Sequence, residues 1–289
     1  MRIAVTGAAG FLGTSVVPAL RARAHEVREL DRATTGDIVT ADWRSHFAGM
    51  DAVVHLAALA HARAADEVRL RAVNVGASVA IGKAAAAAGV RMIFMSSAKV
   101  LGEETAERPF DDASPLAPRD AYARAKAAAE EELRSVAGLR LTVLRPPLVY
   151  GPGVRANFLA LLRAVARGWP LPLASIANRR SLVGAGNLAD AVVRCVEAPR
   201  AVGRTFAVTD GAPVSTPALC RAIGAALGRA PRLFAFPPAL LELAPPARKL
   251  TRSLALDDSA IRRELGWEPP RTFEEGVRLT VEWFKAQGG

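Results

Sequence analysis

The chain has 289 residues, 51% of them hydrophobic and 23% charged, a composition that excludes disorder and collagen-like repeats. Thirty-eight basic against twenty-eight acidic residues give a net charge of +10. The arginines are scattered singly or in pairs, without a basic run or interleaved aromatics, so neither nucleic acid nor an anionic membrane is the expected partner, and a few arginines are left to grip phosphate.

Residues 2–6 read as a strand that runs straight into a glycine turn, with no secretory n-region, h-region or cleavage site. A helix follows at 11–24, with Leu12, Val16, Val17 and Leu20 on one face. Residues 26–31 and 51–56 are strands. Residues 68–89 read as one helix ending at a glycine suited to a C-cap. Strand 91–96, helix 121–136 and strand 139–145 complete the alternation, which predicts right-handed βαβ units and a parallel sheet with helices on both faces. After residue 146 prolines and glycines cluster, and only one more helix–strand pair, 188–197 and 205–209, reads clearly.

The expected fold class is therefore α/β: a Rossmann-type, doubly wound parallel sheet with a smaller, mostly helical C-terminal substrate-binding cap. Residues 1–155 and 185–210 form the dinucleotide-binding core, and 156–184 and 211–289 the cap. The apolar stretch 233–247 holds Glu242 and four prolines. It falls short of the about 18 apolar residues a span requires and reads as a buried cap helix. A cytoplasmic protein without a membrane span is expected. Cys195 and Cys220 lie far apart, and His25, His46, His55 and His61 lack ligand spacing, so no metal is predicted.

The stretch Thr6-Gly7-Ala8-Ala9-Gly10-Phe11-Leu12-Gly13 links a strand to a helix, the context a pyrophosphate turn demands. Gly7 makes the tight turn, Gly10 admits a phosphate against the backbone, and Gly13 lets helix pack on strand. The helix start offers free N–H groups and partial positive charge. Asp31, at the end of the second strand, suits the adenosine ribose hydroxyls and favours NAD. Its neighbour Arg32 suits a 2′-phosphate and keeps NADP open.

Tyr122 and Lys126 are four residues apart, one turn apart on one helix face. A phenol with a pKa of about 10 is a poor base at neutral pH, and an adjacent ammonium is expected to lower it. Ser97 follows a strand at the carboxyl edge, where doubly wound sheets hold ligands, and its hydroxyl can polarise a carbonyl while Tyr122 moves the proton.

These segments, with His55-Leu-Ala-Ala58, Asn74-Val75, Ser96-Ser-Ala-Lys-Val-Leu-Gly102 and Arg145-Pro-Pro-Leu-Val-Tyr-Gly-Pro-Gly153, resemble the extended short-chain dehydrogenase/reductases. Within these they are similar to the nucleotide-sugar epimerase/dehydratase group. The resemblance implies that Ser97, Tyr122 and Lys126 are catalytic. It implies that Gly7, Gly10, Phe11, Leu12, Gly13, Asp31 and Arg32 hold the adenosine diphosphate, and that Asp42 and Trp43 meet the adenine. Leu56, Ala57 and Ala58 would flank the cofactor, Asn74 would support the site near Lys126, and Pro146 to Val149 would lie by the nicotinamide.

The dehydratases carry an Asp-Glu pair after the catalytic hydroxyl, where this chain has Ala98 and Lys99, so elimination of water is not expected. Segments around 157, 170–173, 178–182 and 265–269 look like a bacterial branch tied to surface polysaccharides, some members of which reduce UDP-4-keto-6-deoxy-N-acetylhexosamines. That reduction is the leading expectation. A UDP-sugar 4-epimerase with tightly bound NAD is the alternative, and a non-catalytic dinucleotide sensor ranks below both. Arg180, then Arg252, are the candidate pyrophosphate cations, with Lys99 and Asn157 toward the sugar. A homodimer through helices 68–89 and 121–136 is implied by resemblance.

Overall fold

The structure, a computed structural model, describes residues 1–60, 66–244 and 247–288; His61 lies outside them. Six strands form a parallel sheet: β1 Arg2–Thr6, β2 Glu26–Leu30, β3 Ala52–His55, β4 Arg91–Met95, β5 Arg140–Arg145 and β8 Thr205–Ala207. Their order is β2-β1-β3-β4-β5-β8. Successive connections run outward in opposite directions from β1 and β3, so the switch in strand order opens a crevice between their carboxyl ends.

Both faces of the sheet are covered at its centre, which is why β1, β3 and β4 are nearly continuous apolar runs, whereas the edge strand β2 carries three charged residues and is mostly exposed. Side chains still alternate in direction. Ile3, Val5, Val54 and Ile93 pack with helices Gly13–Ala22 and Ala185–Glu197. Ala4, Val53, Met92, Phe94 and Val143 point the other way, toward Ser78–Ala87 and Ala121–Arg134. A third core gathers helices Ala156–Ala166, Thr216–Leu227 and Phe273–Ala286 around Tyr150. The Tyr150 hydroxyl donates to Asp210 at 2.6 Å and contacts the Phe273 carbonyl at 3.2 Å, fastening this core to the sheet.

The structure departs from the sequence reading at four places. The second strand stops at Leu30, because Asp31 turns to cap the helical turn Arg32–Thr35. The single helix expected over 68–89 is interrupted: Glu67–Arg71 and Ser78–Ala87 flank a π-helical segment, Ala72–Ala77. A second, two-stranded parallel sheet joins β6 Leu148–Tyr150 to β7 Leu182–Gly184. The apolar stretch after residue 233 holds only a short helix, Pro238–Leu241, with no buried residue.

The helix Ala121–Arg134 is fixed to the sheet by a buried ion pair. Glu130 accepts from Arg145 Nε at 3.0 Å and Nη2 at 2.6 Å, and from the Ser96 hydroxyl. Both charged partners are buried. Breaking such a pair strands a charge away from water. Arg145→Met is therefore expected to lower unfolding free energy by about 3–5 kcal/mol in urea titrations, and Glu130→Leu added to it should recover most of that loss.

Candidate active site

Four strand ends deliver the site to the carboxyl edge of the sheet. After β1, Gly7 has φ +71°, and a Cβ there would lie 2.8 Å from the Ala57 nitrogen. The turn after β1 thus sits directly on the loop after β3, across the crevice. Gly13 packs still closer, since its Cβ would collide with the Ala8 carbonyl. Gly10 N–H returns to the Gly7 carbonyl at 2.9 Å, and the helix begins at Gly13. The N–H groups of Phe11, Leu12 and Gly13, at and just before the helix start, have no preceding helical carbonyl to bond. Bare backbone, a glycine that tolerates no side chain and a helix N-terminus together fit a diphosphate.

Around this turn, Asp31 Oδ1 accepts from Ala33 and Thr34 N–H at 2.9 and 3.0 Å. Arg32 is exposed beside it. Asp42 caps helix Trp43–Phe47 through Arg44 N–H. Trp43, expected at the adenine, has its side chain buried and stacked on Phe47. Leu56, Ala57 and Ala58 are half-buried along the crevice, and Leu56 N–H donates to the Thr6 carbonyl.

Beneath the crevice runs a buried chain of hydrogen bonds. Thr6 Oγ1 lies 2.6 Å from His55 Nδ1, His55 Nε2 lies 2.8 Å from Ser78 Oγ, and the Ser78 hydroxyl donates to the Asn74 carbonyl. Asn74 belongs to the π-helical segment, and its amide group holds Leu59 by both N–H and C=O, at 2.8 and 2.9 Å. Burial, and then the Lys126 charge, push His55 down to about 3.

At the end of β4, Ser97 begins the turn Ala98–Val100 and accepts from Lys99 N–H at 3.3 Å. Lys126 reaches the same strand end and donates to the Met95 carbonyl at 2.8 Å, its ammonium 4.6 Å from the Phe94 ring centre. Burial brings Lys126 down to about 7, against the opposing pull of Glu130. Tyr122 is one turn nearer the helix start, just inside the N-cap Asp120. The expected lowering of its phenol is not found: burial, and then the Asp120 carboxylate, push it up to about 12. Asp120 itself, pulled up by burial, is held lower overall by Lys99 and the Ala123 N–H.

Lys99 is ion-paired to Asp120 and so clamps the turn after Ser97 to the start of the Tyr122 helix. Pro146 is buried, and its carbonyl accepts from Ala98 N–H at 2.9 Å; Val149 is half-buried on β6. On the cap side, Arg180 donates to the Arg252 carbonyl at 2.9 Å; burial works against its charge, and it has no acidic partner among the described residues. Arg252, by contrast, is ion-paired to both Glu104 and Glu242, which leaves it far less charge for a phosphate. Asn157 is exposed in the first turn of helix Ala156–Ala166, whose N-cap is Arg155.

Sequence reasoning missed Asp120, Glu130 and Lys249, a cap lysine whose charge reaches Asp120. Glu130 had a signal: with Tyr122 and Lys126 it continues the four-residue spacing along one face. Asp120 had the ordinary signature of an N-cap.

A parallel sheet of this order, with a glycine turn after β1 and with Ser97 and the Lys126 ammonium at the end of β4, defines an extended short-chain dehydrogenase/reductase. The match to the family described as NAD dependent epimerase/dehydratase covers residues 3–208, and the chain belongs to that family. A UDP-glucose 4-epimerase of Vibrio cholerae is 36% identical, over 98% of this chain and 95% of its own length. Among solved structures, the UDP-glucose 4-epimerase of Thermus thermophilus, in complex with NAD, is 26% identical at a TM-score of 0.79, with 99% of each chain covered. The protein MoeE5, in complex with UDP-glucuronic acid and NAD, is 25% identical at a TM-score of 0.82, covering 99% of this chain and 100% of its own.

His55 binds protons more weakly in the folded chain than the about 6.5 of a free imidazole. Its contribution to stability is complete above that value and is lost as pH falls toward about 3. Between pH 7 and 5 the loss is about 2 kcal/mol. Urea midpoints at the two pH values should show it, and His55→Gln should flatten that part of the profile.

Proposed function

We propose that this protein is an NAD(P)H-dependent oxidoreductase acting at C4 of a UDP-sugar, and that it reduces a UDP-4-keto-6-deoxy-N-acetylhexosamine. Residues 1–155 and 185–210 hold the dinucleotide, and residues 156–184 and 211–289 the nucleotide sugar. The reading rests on the helix face of Tyr122 and Lys126, clamped by the Lys99–Asp120 ion pair to the turn after Ser97; burial, and then Asp120, push the phenol up, which favours the acid form. A reduction needs the acid form at the start, to give a proton to the oxygen that becomes an alcohol; an oxidation needs the base form. Ala98 and Lys99 supply no carboxylic acid for elimination of water, which sets the site apart from dehydration.

When bound, the nicotinamide supplies the hydride that reaches C4. Gly7, Gly10 and the N–H groups of Phe11, Leu12 and Gly13 hold its pyrophosphate. Asp31 holds the adenosine ribose, favouring NAD, and Arg32 is the group that would accept NADP. Ser97 donates a hydrogen bond to the C4 carbonyl oxygen, Tyr122 donates the proton to it, and Lys126 holds the nicotinamide ribose. The ketone gains two electrons and two hydrogens in all, one as hydride and one as the Tyr122 proton, which solvent replaces. Arg180, the cap guanidinium with no acidic partner among the described residues, binds the sugar-nucleotide diphosphate bidentately. Asn157 bonds the nucleotide or sugar. Lys99 acts mainly by fixing Asp120, and Arg252 is the weaker diphosphate candidate because two glutamates already neutralise it. Two copies of the chain associate through the helices at 68–89 and 121–136.

A 4-epimerase is the second reading, favoured by the names of the relatives from Vibrio cholerae and Thermus thermophilus. It uses the same residues but returns the hydride to the opposite face of the ketone. The purified protein, incubated with UDP-4-keto-6-deoxy-GlcNAc and NADH or NADPH, is expected to consume reduced cofactor in proportion to ketone. No consumption, with interconversion of UDP-GlcNAc and UDP-GalNAc instead, would reverse the ranking. Tyr122→Phe should cut kcat by about 10²–10⁴-fold while leaving dinucleotide binding, measured by fluorescence titration, near its original strength. Arg180→Ala should act chiefly on KM for the nucleotide sugar.

A further inference from the structure

Two stretches, lying mostly in the cap, account for the net charge of the protein; the C-terminal part of the cap, 257–289, is slightly acidic. Residues 151–184 and 211–256 hold eleven arginines and lysines against one acid, Glu242, while the rest of the chain holds twenty-seven of each sign. Glu242 is itself paired to Arg252 at 3.1 Å.

The same cap segments expose large apolar side chains. Trp169 is 54% exposed, Phe234 44%, Leu240 54% and Leu243 77%. The fold brings two of them side by side. Leu171 and Leu233 pair as a parallel bridge, with Leu171 N–H on the Arg232 carbonyl and Phe234 N–H on the Leu171 carbonyl. Leu171, Leu233 and Leu241 turn inward onto the cap core. Their neighbours Trp169, Phe234, Leu240 and Leu243 are left facing outward.

Four exposed guanidiniums stand among these side chains. Arg167 lies over the Trp169 ring at 5.4 Å. Arg229 donates to the Ala166 carbonyl and Arg232 to the Gly168 carbonyl, both just before Trp169. Arg248 donates to the Glu242 carbonyl, next to Leu243. Dispersed in sequence, three of these charges are gathered beside Trp169 and the fourth beside Leu243, and both groups border the core on which Leu171, Leu233 and Leu241 pack, which makes them the rim of that core.

We propose that this rim is a docking surface for an anionic lipid bilayer. A tryptophan, a phenylalanine and two leucines ringed by arginines match a layer whose apolar tails lie just beneath negative headgroups. A nucleic acid would use the arginines but leave Leu240 and Leu243 in water, and an uncharged apolar partner would leave the arginines without a counterpart. The protein lies on the membrane through the cap, with the sheet facing away.

The test is flotation of the purified full chain with vesicles of phosphatidylcholine alone or with roughly one third phosphatidylglycerol. Binding to the anionic vesicles is expected, with loss at high salt and little binding to the neutral ones. Leu240→Glu with Leu243→Glu, and separately Arg229→Glu with Arg232→Glu, should each weaken the partition by about tenfold or more and leave turnover of nucleotide sugar intact. These side chains are exposed, and circular dichroism should show both variants folded. Absence of binding to anionic vesicles, equal binding to neutral ones, or unchanged binding by either variant would overturn the proposal. So would a shift from dimer to monomer in the leucine variant without any vesicle binding, which would make the rim an interface between two copies of the chain.

Discussion

The site depends on one carboxylate sealed beneath it. Glu130 stands two turns from Tyr122 and one from Lys126, on the same face of helix Ala121–Arg134. Its oxygens are taken by Arg145 from β5 and by Ser96 from the end of β4. Helix and sheet can therefore meet in only one register, because any slide would leave a buried charge unpaired. Lys126 then falls on the Met95 carbonyl, and Tyr122 falls beside the loop that begins at Ser97. The ion pair is costly to bury, and the specificity of this register is what it secures.

A second constraint ties the cofactor side to the π-helical segment Ala72–Ala77. The buried line from Thr6 through His55 and Ser78 to Asn74 joins the glycine turn to the π-helical segment. Asn74 in turn holds the backbone at Leu59, in the loop along the crevice. Every polar atom in this line must be matched, since an unmatched one would stay away from water. The two networks also share an electrostatic link: Lys126 depresses His55, while Glu130 supports the charge of Lys126. The imidazole stays neutral, so it serves as a spacer of fixed hydrogen-bond pattern rather than as an acid or base.

Much of the sheet was legible because strands buried on both faces must be apolar runs, and parallel strands must be separated by helices. The glycine turn was legible because Gly7 and Gly13 have no room for a side chain. Strands β6 and β7 escaped notice: each has three residues and lies among prolines and glycines, too short for any period to emerge. The exposure of 233–244 escaped for a different reason. Apolarity predicts burial only where a partner surface exists, and the inward positions there are already filled by Leu233 and Leu241. The raised phenol of Tyr122 depends on burial and on Asp120, whereas a Tyr–Lys spacing speaks only of the lysine. In the same way, Arg180 and Arg252 read alike in sequence. Only their surroundings separate them, one lacking an acidic partner among the described residues and the other held by two glutamates.

The π-helical segment at Ala72–Ala77 is equivalent to one surplus residue let into an otherwise regular helix. Removing a single residue there would allow ordinary winding to close up. Everything on one side of the excision would then turn by about 100° relative to the other. Ser78 and Asn74 would no longer share a line with His55, and the anchor on Leu59 would be lost. The bulge thus acts as a counted insertion, a single residue's worth of phase that allows one helix to serve both the hidden imidazole and the rim of the crevice.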